Sequence, residues 1–277
     1  MAKIPKKTYY YKDALTADFA ATNDLKPALV NDKYNYFKDD SIIFKVFAFI
    51  IYYIVAKPAC WLINKICFSV KIKNKKIFKQ RGKKGCFIYS NHTNYLPDAL
   101  LNSTMHSGKN YVIVGPQTVN IIGIRNLVAA LGAIPLGSTI KAKKNFMKVI
   151  EKRLNQNASI TIYPEAHIWP FYTGIRKFIP GSMAYPCQFD VPSFTVTICY
   201  QKRKIGSIPK IVAICDGPFY PDQNLPKKER QEKLRDDLYN AMVKATSEYS
   251  NYEYYKYVQV AEDEEIPDQI SQVKTKQ

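Results

Sequence analysis

Three histidines occur in this 277-residue chain, and His92 lies in "YSNHTNYLPDALL" (residues 89–101), six residues ahead of Asp98. Histidine beside a carboxylate suits general-base chemistry. The carboxylate accepts the Nδ1 proton, which leaves Nε2 free to take a proton from an alcohol attacking a thioester. A simpler reading gives Asp98 only the task of complementing the positive end of a helix, worth about 0.3–1 kcal/mol, while His92 satisfies a loop carbonyl. The segment alone leaves both readings open. On one regular helix, side chains six residues apart lie on opposite sides, so a contact needs a loop between the two residues. Other chemistries lack their marks: the sequence has no G-x-S-x-G, H-E-x-x-H, phosphate loop or G-x-G-x-x-G. None of its six cysteines forms a C-x-x-C pair, so neither a zinc ribbon nor a disulfide framework is expected and the thiols read as buried and reduced.

The elements that would hold such a pair can be read around it. "CFIYS" (86–90) is a short apolar run typical of a buried strand, and Pro97 favours a helix start with Asp98 in its first turn. His92 then falls in the connecting loop, at the carboxyl end of a strand, where α/β folds build their sites. Further strands are expected at 110–115, 132–136, 158–164, 193–200 and 209–217. Helices are expected at 117–131, in "STIKAKKNFMKVIEKRLNQN", where Ile140, Phe146, Met147, Ile150 and Leu154 share a face, and in "LPKKERQEKLRDDLYNAMVKATSEYS". This alternation predicts an α/β domain with a mixed, largely parallel central sheet flanked by helices.

Residues 1–40 are polar and lack periodicity, which predicts a loosely ordered arm, and "MAKIPKKTYYYKDALTADFAA" has no apolar core of a secretory signal. Residues 41–70 hold the most apolar part of the chain, with Pro58 expected to break or kink the helix, giving two short apolar pieces. The uninterrupted apolar run, 46–56, is shorter than the roughly 20 residues a bilayer span needs, whereas the whole segment 42–66 reaches that length if Lys45 and Lys57 are tolerated or snorkel. Eight Lys/Arg and no acid follow between 71 and 84, in a chain of formal net charge +18. An aromatic, apolar helix beside a basic cluster fits a segment lying in the interface of an anionic leaflet, on the cytoplasmic face. No nucleic-acid module accompanies the charge, so nucleic acid is not an expected partner. The catalytic domain is expected over 71–249, and residues 250–277, tyrosine-rich and then acidic, as a mobile tail.

Several segments in order resemble one family. "SNHTNYLPD" is similar to the N-H-x-x-x-x-D block of the glycerolipid acyltransferases, the lysophosphatidate acyltransferase-like enzymes. "LGAIPLG" (131–137) occupies the place of their second block, and "ITIYPEAHIW" (160–169) resembles their F-P-E-G-T-R block. "FIPGSM" (178–183) and "VPSFTVT" (191–197) are similar to the F-K-x-G and V-P-x-x-P-V segments. The resemblance implies transfer of a fatty acyl group from acyl-carrier-protein or acyl-CoA to the hydroxyl of a lysophospholipid, 1-acylglycerol-3-phosphate in first place, with no metal and no resident cofactor. It implies His92 as general base and Asp98 as its orienting partner, with Asn91, Glu165 and Gly181 binding substrate; Arg176 is expected to join them, and His167 either binds substrate or lines the loop. Two alternatives stand beside it: another lysolipid or glycolipid acceptor, and a non-catalytic lipid-binding protein at the membrane surface.

The departures from the family pattern define what the structure must answer. Five residues separate His92 from Asp98 where the family has four. Ala166, His167 and Ile168 replace Gly, Thr and Arg, and the arginine after the second block is missing. Those arginines belong to the family's acceptor-phosphate site, which makes Arg176, and then Arg125, the candidate replacements; in a chain with 41 Lys/Arg, surface charge is the alternative reading of both and the favoured one for Arg125. His106 reads as a cation at a helix end.

Overall fold

The structure, a computed structural model, describes residues 6–19, 29–94, 98, 101–119, 125–178 and 181–265. Its centre is a seven-stranded sheet of β2 (Lys71–Lys73), β3 (Cys86–Ser90), β4 (Asn110–Val114), β5 (Ala133–Pro135), β6 (Ser159–Ile162), β7 (Ser193–Gln201) and β8 (Lys210–Phe219). The spatial order is β2-β8-β7-β3-β6-β4-β5. Strands β7, β3, β6, β4 and β5 are parallel; β8 runs antiparallel to β7, and β2 parallel to β8. The expected mixed, largely parallel sheet is therefore present. The short edge strand β2, which the sequence presents only as part of the basic cluster, pairs Lys71–Lys73 with Val212–Ile214.

Alternation along β3 explains the two cores. Phe87 and Tyr89 point to one face, where they meet α3 (Ile140–Asn155), α4 (Ala184–Phe189) and α5 (Lys227–Tyr249) through Phe146, Ile150, Cys187, Leu234 and Leu238. Cys86 and Ile88 point to the other, where Phe78, Leu101, Met105, Phe194 and Ile198 pack. A strand buried on both faces has no polar alternation to show, as its sequence predicts. Helix α3 starts where Thr139 Oγ1 accepts the Ala142 amide at 3.1 Å, and it buries Phe146, Ile150 and Leu154. Ile140, expected on that face, is the first helical residue and stays exposed.

The apolar segment is one continuous helix, α1 (Ile42–Ile66), not two pieces. Residues Ile50–Ala56 wind as a π-helix immediately before Pro58, and the Lys57 amide bonds Tyr52 O, five residues back. The wider turn lets the helix carry a proline that offers no amide. Ala48, Tyr52, Cys60 and Asn64 form a buried stripe along its length. Tyr52 Oη accepts the Asn110 amide at 2.8 Å, and Lys57 Nζ bonds the carbonyls of His106 and Ser107. The rest of the helix presents Ile43, Val46, Phe49, Ile54, Trp61 and Ile66 to the outside.

The arm and the tail are not free in the described residues. Strand β1 (Lys7–Tyr11) pairs in parallel with β9 (Tyr255–Gln259), joining residues about 250 positions apart in the chain. Aromatic packing holds this ribbon, with Tyr257 stacked on both Tyr9 and Trp169. The remaining parts of the arm (1–5 and 20–28) and tail (266–277) lie outside the described residues, as does Pro97. The helix expected at 117–131 is a 3-10 turn, Pro116–Val119, and α2 (Arg125–Ala130), with 120–124 outside the described residues. Five cysteines are buried; Cys67, expected to be buried like the others, is exposed at the end of α1 because the chain turns there.

Candidate active site

The loop after β3 and the loop after β6 leave adjacent strands at the same end of the sheet, since Tyr89 and Ile162 are in register. That register brings His92 and Glu165 together. The His92 amide points to Glu165 Oε2 at 3.4 Å, and the His92 carbonyl accepts the Trp169 amide at 3.0 Å.

The five-residue spacing does not separate the pair. Asp98 Oδ2 lies 3.0 Å from His92 Nδ1 and accepts the amides of Thr93 at 2.7 Å and Asn94 at 2.8 Å. One carboxylate oxygen thus closes the loop and the dyad together. An oxygen already accepting two amide hydrogens takes a third donor, so Nδ1 carries the ring hydrogen and the Nε2 lone pair is left for substrate. Asp98 is buried, while the His92 side chain keeps 19% of its surface exposed. Burial raises the Asp98 pKa above the usual carboxylate range; the His92, Asn94 and Thr93 bonds act the other way. Thr93 is held in turn by Tyr200, whose hydroxyl lies 2.9 Å from Thr93 Oγ1 and 3.2 Å from its carbonyl.

Glu165 is a buried structural acid. Its Oε1 accepts the Arg176 amide at 3.0 Å and its Oε2 lies 3.2 Å from Arg176 Nη2. Burial raises the Glu165 pKa, and the Arg176 charge pulls it back. The same guanidinium donates to the His167 carbonyl and lies 4.9 Å from the Trp169 ring centroid. At 5% exposure Arg176 is committed to the protein and is no open phosphate ligand. Arg125 lies over Tyr34 at 5.0 Å, on α2.

Of the other expected substrate contacts, Asn91 is internal, His167 is half-buried and Gly181 is exposed. Asn91 donates to the Ile198 carbonyl at 3.0 Å and accepts the Ile198 amide at 2.8 Å, so its whole amide is used to bind β7 to the end of β3. His167 Nδ1 faces Asp18 of the N-terminal arm at 3.3 Å. Gly181, at φ +100°, makes the turn into α4, and no atom lies within 4 Å of where its Cβ would be. Ser138, just beyond β5 where the family's second arginine is missing, exchanges two bonds with Val30 of the arm at 2.9 and 3.1 Å. His106 is not a helix-end cation: burial, with Arg81, Lys57 and Lys75 nearby, lowers its pKa to about 3, and the neutral ring bonds Ser159 Oγ at 2.6 Å.

The geometry supports proton abstraction at Nε2, and the comparisons bear on the reaction. The acyltransferase family model matches residues 69–199, the segment that carries the dyad and the Pro164–Glu165 turn. Over these residues the chain is similar to the acyltransferase family. Among solved structures, the chain is similar to the 1-acyl-sn-glycerophosphate (LPA) acyltransferase PlsC from Thermotoga maritima, with a TM-score of 0.53 at 12% identity, over 77% of this chain and 99% of that one. The family match agrees with the acyltransfer that the motifs imply, and the likeness to PlsC shows a shared fold. No curated protein matches the chain. Tyr163, Trp169 and Tyr200 also frame the dyad loop, and none of them is a candidate on sequence grounds. Only Tyr163 had a local signal, standing at a strand end directly before Pro164–Glu165.

Proposed function

We propose that the protein moves a fatty acyl group from a thioester to a lysolipid hydroxyl at a membrane surface. The observation that carries this reading is the buried Asp98 carboxylate 3.0 Å from His92 Nδ1. The acceptor hydroxyl gives its proton to His92 Nε2 as its oxygen bonds to the thioester carbonyl carbon. The tetrahedral intermediate collapses, the C–S bond breaks, and the imidazolium returns the proton to the departing thiolate. The products are an ester and a free thiol of CoA or acyl-carrier-protein. Glu165 acts on this step through the His92 backbone.

Placement at a membrane is supported by α1, which is 25 residues long with a hydropathy of 1.9 and 17% burial in its most apolar window. Its buried stripe from Ala48 to Asn64 rests on the catalytic domain, so the helix lies along one leaflet with the domain beside it. Exposed lysines 71, 73, 75, 76, 79, 83 and 84 supply the attraction to anionic lipid, and the free thiols accord with the cytoplasmic face.

1-Acylglycerol-3-phosphate, the acceptor in the name of the Thermotoga relative, is the first candidate. A second reading, a lysolipid or glycolipid without a terminal phosphate, is favoured by the burial of Arg176 against Glu165 and by Ser138 in place of an arginine. The test pairs oleoyl-CoA and oleoyl-carrier-protein with lysophosphatidate, lysophosphatidylcholine and monoacylglycerol, and follows ester formation by mass spectrometry. Transfer to lysophosphatidate alone supports the first reading, and transfer only to the other acceptors supports the second. Lipid binding without transfer to any acceptor supports a non-catalytic protein.

A further inference from the structure

We infer that Tyr163 is the positioning residue of the dyad, one ring holding His92 by its face and Asp98 by its hydroxyl. This rests on the general-base reading of His92. The Tyr163 and His92 rings stack with centroids 4.2 Å apart and planes 17° from parallel. The Tyr163 hydroxyl donates to the Asp98 backbone carbonyl at 2.5 Å, and Asn102 Nδ2 lies 3.4 Å from the same oxygen. Burial, with the Asp98 charge adding to it, raises the pKa of the phenol well above its usual value, so the hydroxyl remains a donor.

The need for such a residue follows from the loop. Residues 91–94 lie past the end of the β3 ladder, and with five residues between them no regular repeat fixes the distance from ring to carboxylate. Tyr163 directly follows β6, whose Ile162 is registered against Tyr89 of β3. It carries the rigidity of the sheet to both members of the pair. A phenylalanine would fill the same space and stack equally well; the hydroxyl adds the tie to the Asp98 turn. The ring face has a second role, because His92 becomes positively charged once it takes the acceptor proton. A π face against that imidazolium is attractive.

Two substitutions separate the roles. In Tyr163→Phe the face stays and the tie is lost. We expect kcat to fall about fivefold to tenfold, the worth of one well-placed hydrogen bond, with KM unchanged. The acidic limb of the rate profile should stay where it is. In Tyr163→Leu the face is lost as well. The fall should then be larger, and the acidic limb should move toward lower pH by about half a unit or more.

The assay uses the full chain, oleoyl-CoA and the best acceptor of the panel above, from pH 5 to 9, with melting temperatures recorded for each variant. Wild-type kcat in Tyr163→Phe overturns the inference. So does a fall in both variants that follows only the loss of melting temperature, with no movement of the acidic limb. Tyr163→Phe conserves shape and carries the test if Tyr163→Leu does not fold. His92→Ala is assayed alongside: full activity there removes the general-base reading itself, whereas an inactive His92→Ala with an unaffected Tyr163→Phe removes only the role of Tyr163.

Discussion

Replacing Asp98 with asparagine keeps the shape of the dyad and removes its charge. Asp98 Oδ2 takes three donors, from His92 Nδ1 and the amides of Thr93 and Asn94. An asparagine oxygen in the same place can still close the loop, so folding should change little. The imidazolium formed during transfer, however, loses a buried anionic partner. A hydrogen bond to a charged group contributes about 1.5–3 kcal/mol, which sets a fall in kcat of about 10- to 150-fold. If the amide turns its NH2 toward Nδ1, the ring is forced into the wrong tautomer and the loss approaches about 10⁴-fold, the value known for the equivalent change in a serine protease. Asp98→Ala serves as the contrast. It strands two loop amides, each at about 1–3 kcal/mol, and so should lower stability as well as rate. The assay is steady-state thiol release from oleoyl-CoA with the active acceptor, beside thermal unfolding of each variant. Asp98→Asn with more than about half the wild-type kcat would refute the claim that the carboxylate supports His92.

Three further outcomes follow from the same geometry. Arg176→Ala leaves Glu165 buried and uncompensated, so it should destabilise the protein by about 3–5 kcal/mol in chemical denaturation; a change below about 1 kcal/mol contradicts the internal ion pair. Asn91→Ala deprives the Ile198 amide and carbonyl of partners and should cost about 2–4 kcal/mol of stability, while KM for the acceptor is unchanged; a raised KM at normal stability would restore Asn91 to the substrate site. Burial would raise the pKa of Asp39, but its bonds to Arg153 and the nearby Lys152 outweigh this and lower it to about 2. The folded value lies below the unfolded one, so the pair's stabilisation is complete above about pH 4 and fades as pH falls toward 2; Asp39→Asn should remove about 1–2 kcal/mol, discounted for solvent screening, at pH 7 and much less at pH 2.

Much of the fold was legible because its signals are local. Apolar runs such as "CFIYS" and "SFTVTICY" mark strands buried on both faces, and the apolar spacing after Thr139 marks α3. His92 and Asp98 were legible as a pair because the loop between a strand end and a helix start lets side chains six residues apart meet. What was hidden depends on distant partners. No residue in 7–11 announces pairing with 255–259, and nothing near Arg176 in sequence shows that Glu165 consumes it. Asn91 reads as a polar neighbour of a catalytic histidine, yet the backbone of β7 takes its whole amide. His106 reads as a surface cation until Arg81, Lys57 and Lys75 are placed around its buried ring. Pro58 reads as a helix breaker, and only the π-turn ahead of it shows how the helix continues.

The central claim is that His92 Nε2 takes the proton of the acceptor hydroxyl. The most direct measurement is ester formation from oleoyl-CoA and the lysolipid panel by purified wild-type protein and His92→Ala, each shown to fold by its melting temperature. An ester product from at least one acceptor is expected in the wild type, with a loss of about 10²-fold or more in His92→Ala at unchanged stability. Equal ester formation by the two proteins would contradict it.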